Sequence, residues 1–215
     1  EKQHEALWTK SIERLANIET GGEPYDEWTA MRRYPAMLLM YGGGIAAISS
    51  SRYETVIGLL TRVRVLKDGA ELPAAMKLSP FYVMDRKIGW LLPGLDKHHT
   101  PLSDRVRDLL LPKLKEFVPR EDEYDRLFDR FEYILALVFG EHRMREQPDF
   151  WSYIGRFGWR GHGYKSDIRV EIGAEIDHQG IKWPLLEAGL CGGSLTNLRS
   201  MKAELDKLAS KMYLY

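Results

Sequence analysis

Residues 34–66 read YPAMLLMYGGGIAAISSSRYETVIGLLTRVRVL, the most apolar stretch of the chain. Three glycines stand together in it, and charge is almost absent from its first half. Pro35 suits the first turn of a helix, where a missing N–H costs nothing. Met37, Leu38, Leu39, Met40 and Tyr41 then run without a charge, a pattern that fits a buried helix or a buried strand. Residue type favours helix, because Met, Leu and Ala prefer it over the β-branched residues of strands. Ser49, Ser50 and Ser51 form a turn or cap. Tyr53, Val56, Ile57, Leu60 and Val63 recur at helical spacing and predict a second, amphipathic helix, which Lys67-Asp68-Gly69 closes with a turn. The stretch reads as the buried heart of a mostly helical protein.

Two explanations compete for Gly42, Gly43 and Gly44. Each glycine inside a helix costs roughly 1 kcal/mol relative to Ala, so it needs a reason. Close packing supplies one, since Ala46 and Ala47 continue the small residues and let a neighbour approach. The other is an anion cradle after a strand ending at Tyr41, as in a nucleotide-dependent enzyme. No Lys-Ser/Thr follows and the G-x-G-x-x-G spacing is missing, which favours packing. A membrane span is excluded here, because residues 35–48 fall short of the roughly 20 a bilayer needs and Arg33 and Arg52 bracket them.

Lys plus Arg equals Asp plus Glu, 31 of each, so the chain has no global attraction to nucleic acid or membrane. Cys191 is the only cysteine, which rules out an internal disulfide. It lies among leucines and glycines, where a packed thiol is expected, and the location read from this is cytoplasmic. The opening at Glu1, directly in a charged amphipathic segment, fits a fragment of a longer chain or a removed start.

Outward from the heart, helices are expected at 2–18 (Trp8, Ile12, Leu15, Ile18), from Pro101 to about Phe117 with Pro112 bending or splitting it, and from Glu121 onward. The last is the clearest, with Leu127, Phe128, Phe131, Ile134, Leu135 and Val138 on one stripe, acids in its first turn and His142, Arg143 and Arg145 near its end. Residues 168–176, IRVEIGAEI, alternate apolar and polar and read as a strand followed by a turn at His178-Gln179-Gly180. The final helix starts after Ser194. Leu198, Met201, Leu205, Leu208 and Met212 form a short heptad seam on it, a surface that folds back onto the chain or joins two copies as a homodimer. The whole predicts a mainly α fold, one multi-helix domain over 1–215, with at most a small β-hairpin near 168–182.

Chemistry is sparse. The six histidines show no H-E-x-x-H, and no C-x-x-C exists, so no metal or cofactor is expected. Gly192-Gly193-Ser194-Leu195-Thr196 departs from G-x-S-x-G at Thr196, and Ser194 as a helix cap explains it. Carboxylates mostly share helix faces with Arg and Lys, as on solvated surfaces, and none is nominated as a general acid or base. Residues 155–165, GRFGWRGHGYK, offer the remaining candidate. Arg156, Arg160 and Lys165 could hold phosphate while Trp159, with Phe157 and Tyr164, offers stacking faces for nucleic acid. The plainer alternative has Phe157 and Trp159 as core anchors and the arginines paired with nearby acids, and zero net charge favours it.

RRYPAMLLMYGGGIAAISSSRYETVIGLL, FEYILALVFGEHR and IGRFGWR together resemble helical accessory regions of large bacterial sirtuin-like or nucleotide-binding defence proteins. The resemblance covers about a quarter of the chain and rests on packing motifs. It implies a non-catalytic sensing, regulatory or assembly module that contacts other domains or a protein partner. None of those families' nucleotide-binding motifs is present, so no catalytic residue carries over.

Overall fold

The computed structural model describes residues 2–18, 31–67, 69–84, 94, 98–147, 150–160 and 167–211. It is mainly α, and among the described residues its only sheet is one two-stranded antiparallel hairpin. The span expected to form one domain clusters as two compact units, 1–119 and 120–215.

The first unit is arranged around α2 (Tyr34–Ser49), which has Pro35 in its first turn as its fixed φ favours. Helices α1 (Lys2–Ala16), α3 (Tyr53–Thr61) and α6 (Pro101–Leu114) pack on it. Met37, Met40, Tyr41 and Ile45 are fully buried there, and each such side chain contributes about 1.5–3 kcal/mol through burial. Pro112 lies inside the last turn of α6, which continues unsplit to Leu114.

Gly42, Gly43 and Gly44 lie in the body of α2, and none has a positive φ. No strand ends at Tyr41, so the strand-and-loop geometry of an anion cradle does not form. A side chain on Gly43 would point at Leu59 and at the Trp8 ring, with a Cβ 3.4 and 3.5 Å from them. A Cβ on Gly42 would meet only Leu110, at 3.9 Å. Gly43 leaves room for the Trp8 ring, on α1, beside α2.

The hairpin is not where alternation placed it. Strands β1 (Arg64–Lys67) and β2 (Ala70–Pro73) pair with Lys67 opposite Ala70, leaving a two-residue connection. Gly69 sits there at φ 79°, the conformation that an Asp-Gly hairpin turn requires. Lys67 and Gly69 thus flank and form part of a hairpin connection rather than the end of a helix, and Asp68 lies outside the described residues. Short helices α4 (Ala74–Lys77) and α5 (Pro80–Val83) follow.

The second unit is built on α7 (Glu121–Glu146), 26 residues long. The predicted stripe is buried, but so is every other residue from 127 to 140, so the helix is enclosed on all sides rather than one. Around it lie α8 (Phe157–Arg160), α9 (Ile168–Gln179), α10 (Pro184–Glu187) and α11 (Leu195–Lys211).

Residues 168–176 are helix, not strand. Asp167 caps α9 by accepting a hydrogen bond from the Arg169 backbone N–H at 2.9 Å. The alternating set 168, 170, 172, 174, 176 contains a helical stripe at every fourth residue. Ile168, Ile172 and Ile176 are buried, while Val170 is 67% exposed.

Because the Cβ added at Gly42 meets ordinary contact distance, Gly42→Ala is expected to raise stability by roughly 0.5–1 kcal/mol through helix propensity. Gly43→Leu is expected to lower it by displacing Trp8. Chemical denaturation of the two variants checks both signs.

Candidate functional site

The arginine-aromatic segment lies along α7 and runs back towards its N-terminus. Phe150 sits over Gly140, where an added Cβ would come within 2.5 Å of its ring. Trp151 meets Phe139 edge to face at 5.4 Å and receives Arg143 over its ring at 5.5 Å. Ser152 donates to the Ala136 carbonyl at 2.6 Å, inside the protein. Tyr153 donates its hydroxyl to Glu132 Oε1 at 3.1 Å, and the Arg156 N–H donates to Glu132 Oε2 at 2.9 Å.

Glu132 is completely buried. Its carboxylate crowds the backbone of Gly155, where a Cβ would lie 2.0 Å from Oε2. Only glycine lets the segment approach closely enough for that carboxylate to take the Arg156 N–H.

Arg156 and Arg160, four residues apart, face Asp125 and Asp129, also four apart. Arg156 Nη1 lies 3.1 Å from Asp125, and Arg160 Nη1 lies 3.1 Å from both Asp125 and Asp129. The Arg156 guanidinium also stands 5.8 Å from the centre of the Phe128 ring. On another flank of α7, Arg126 reaches Glu171 at 2.5 Å, and Arg130 donates to Glu175 at 2.7 Å through Nη1. Trp183, buried, donates its indole N–H to Glu175 at 3.0 Å. The sequence DRLFDR, residues 125–130, therefore sends its two aspartates to one neighbour and its two arginines to another.

These placements answer the expectations residue by residue. Arg156 and Arg160 are held by carboxylates, Phe157 is buried edge to face against Tyr133 at 5.3 Å, and Trp159 is half-buried. Lys165 and Tyr164 lie outside the described residues. The view of helix-face carboxylates as solvated is corrected for Asp129 and Glu132, which are buried in α7. The burial of Asp129 was missed because DR-x-x-DR reads as a surface pattern, with the matching R-x-x-x-R at 156–160 as the available signal; Glu132, held by Tyr153 and a backbone N–H, had no such signal.

The C-terminal seam faces inward. Leu198, Met201 and Leu205 are buried as α11 packs on α7 and on the turn Leu190–Gly193. Leu208 is half-buried and Ala209 takes the next buried position, so the stripe steps 3, 4, 4 rather than 3, 4, 3. That is the period of a straight helix, whereas a heptad needs a supercoiled partner. Met212 lies outside the described residues. Tyr133 on α7 donates to Asp206 on α11 at 2.9 Å, and Lys202 meets the same carboxylate at 2.5 Å.

Burial pushes the Cys191 thiol up to about 12, with the charge of Glu141 adding to it, so the thiol is protonated and not a nucleophile at neutral pH. Among the described residues no three His, Cys, Asp or Glu side chains are placed to hold a metal, and no helix is long and apolar enough to cross a membrane. No family model, curated protein or solved structure matches the chain.

Arg130→Ala is expected to cost about 3 kcal/mol, because removing one partner strands the other charge in a partly buried site. Acid should act on the same ladder. Burial alone would raise the Glu175 pKa, but hydrogen bonds from Arg130 and Trp183 and the nearby arginine charges outweigh it and hold it below 4.5. A depressed carboxylate stabilises fully above its unfolded pKa and loses that contribution as pH falls through the folded one. Asp167, lowered by Arg169 against its own burial, acts in the same direction below 3.8. Stability should therefore fall on acidification below about pH 4.5, and Glu175→Gln should show a shallower acid limb in pH-dependent denaturation.

Proposed function

We propose that this chain is a non-catalytic helical interaction, sensing or regulatory module of a larger cytoplasmic bacterial protein, of the defence type that the resemblance implies. The observation that carries this reading is the pair of ion ladders on α7. Four charged side chains of one helix hold segments 156–160 and 168–179 in fixed register, so charge that could serve a ligand fixes a scaffold. Large apolar side chains stand outward on elements of both units. Val170 and Ile181 are 67% and 70% exposed in the second unit, and Leu7 is 64% exposed in the first. Exposed large apolar side chains would contribute to docking of another domain or protein partner.

The enzyme reading and the scaffold reading separate in a thermal-shift series with ATP, NAD and related nucleotides. The module reading expects an unmoved melting temperature. A ligand at 100 times its dissociation constant would stabilise by roughly 2.7 kcal/mol, and such a rise would replace this reading with a nucleotide-binding one. The nucleic-acid alternative is tested by Arg156→Ala with Arg160→Ala. A scaffold role predicts lost stability, whereas a nucleic-acid role predicts a folded protein with weakened, less salt-dependent binding to single strands.

A further inference from the structure

Strand β1 has an edge that β2 does not cover, and three side chains from other elements take its main-chain groups. The Arg64 N–H donates to Glu13 Oε1 at 3.0 Å. Asn17 donates from Nδ2 to the Arg64 carbonyl at 2.8 Å and accepts from the Leu66 N–H through Oδ1 at 2.7 Å. Arg33 donates from Nη2 to the Leu66 carbonyl at 2.9 Å. Two donors and two acceptors, alternating along the strand, are thus satisfied as a third strand would satisfy them. The side chains that do so come from α1, from the residue after it, and from the residue before α2. Arg33 also donates to the Ala16 carbonyl at 3.3 Å, which ties the end of α1 to the same edge.

We propose that α1 is a removable guard of this edge and that, when it lifts, β1 pairs antiparallel with β1 of a second copy of the chain. The edge is self-complementary. A two-fold axis at Val65 sets Arg64 of each copy against Leu66 of the other, and the four groups now held by Glu13, Asn17 and Arg33 become four hydrogen bonds between strands. An open edge of this kind is the usual template for such pairing. Leu66, 49% exposed, supplies apolar contact on the paired face. Arg64 and Lys67 bring like charges together, so pairing strengthens with added salt. Docking of α1 then sets whether the chain is single or paired.

The test uses the full chain and its Glu13→Ala/Asn17→Ala variant. Wild type is expected to run as one copy by light scattering, with slow exchange at the Arg64 and Leu66 amides. In the variant at low concentration those two amides should exchange roughly tenfold faster. At high concentration its mass should double, more readily in high salt, and their protection should return. Adding Leu66→Pro removes a donor from the outer edge only and should abolish the doubling. Asn17→Leu, close in volume, repeats the comparison if the double variant loses helical circular dichroism. A variant that stays single at every concentration, that doubles equally well with Leu66→Pro, or whose two amides keep wild-type protection overturns the proposal. So does a wild type already paired through β1.

Discussion

A buried charge must be matched, and the second unit is arranged around that demand. Helix α7 is enclosed over four turns, yet Asp129, Arg130 and Glu132 sit within the enclosed part. An unpaired ion there would be expensive to keep, far beyond what one apolar contact returns. The segments packed beside these charges carry the complement: the guanidinium groups of Arg156 and Arg160, a carboxylate pair from α9, and a hydroxyl and a backbone N–H for Glu132. Apolar burial brings those elements to α7 with one face inward, and the ion ladders add a second constraint on where they stop. Their four-residue spacing on both sides admits one register, and specificity of register is the best-attested use of buried polar groups.

Close backbone approach is the second constraint, and glycine meets it in both units. Gly155 leaves room for the Glu132 carboxylate, Gly140 for the Phe150 ring, and Gly43 for Trp8. At each place the neighbour is a large or charged side chain, and a Cβ would displace it. The helical glycines sacrifice propensity for packing, a trade that only the tertiary neighbours make visible. Cys191 shows the opposite case, a buried non-glycine residue at φ 52° between Gly189 and Gly192.

Edges and ends complete the molecule. The hairpin edge is closed by side chains instead of by a further strand, and α11 folds its apolar stripe onto α7. In both, groups that could join two chains are used within one.

The sequence alone determined the helical class, the buried heart within 34–66 except for its last residues, the Pro35 start, and the long helix from Glu121, because these rest on local composition and on a period repeated over several turns. It also favoured a packed role for Phe157, while for Leu205 it left the inward face and a second copy both open. It did not determine the hairpin. Residues 64–73 are too short to outweigh a helical stripe that runs into them, and IRVEIGAEI satisfies periods of two and four at once. Only the partner surface on α7, with Arg126 and Arg130 waiting for carboxylates one turn apart, made the second of those periods the favourable one. The same holds for DRLFDR: spacing alone reads as a solvated face, and Asp129 and Arg130 are buried in it only where the chain returns to α7 with matching charges on both sides. Long-range pairing between segments tens of residues apart is a property of the folded surface, and local pattern carries no record of which surface a residue will meet.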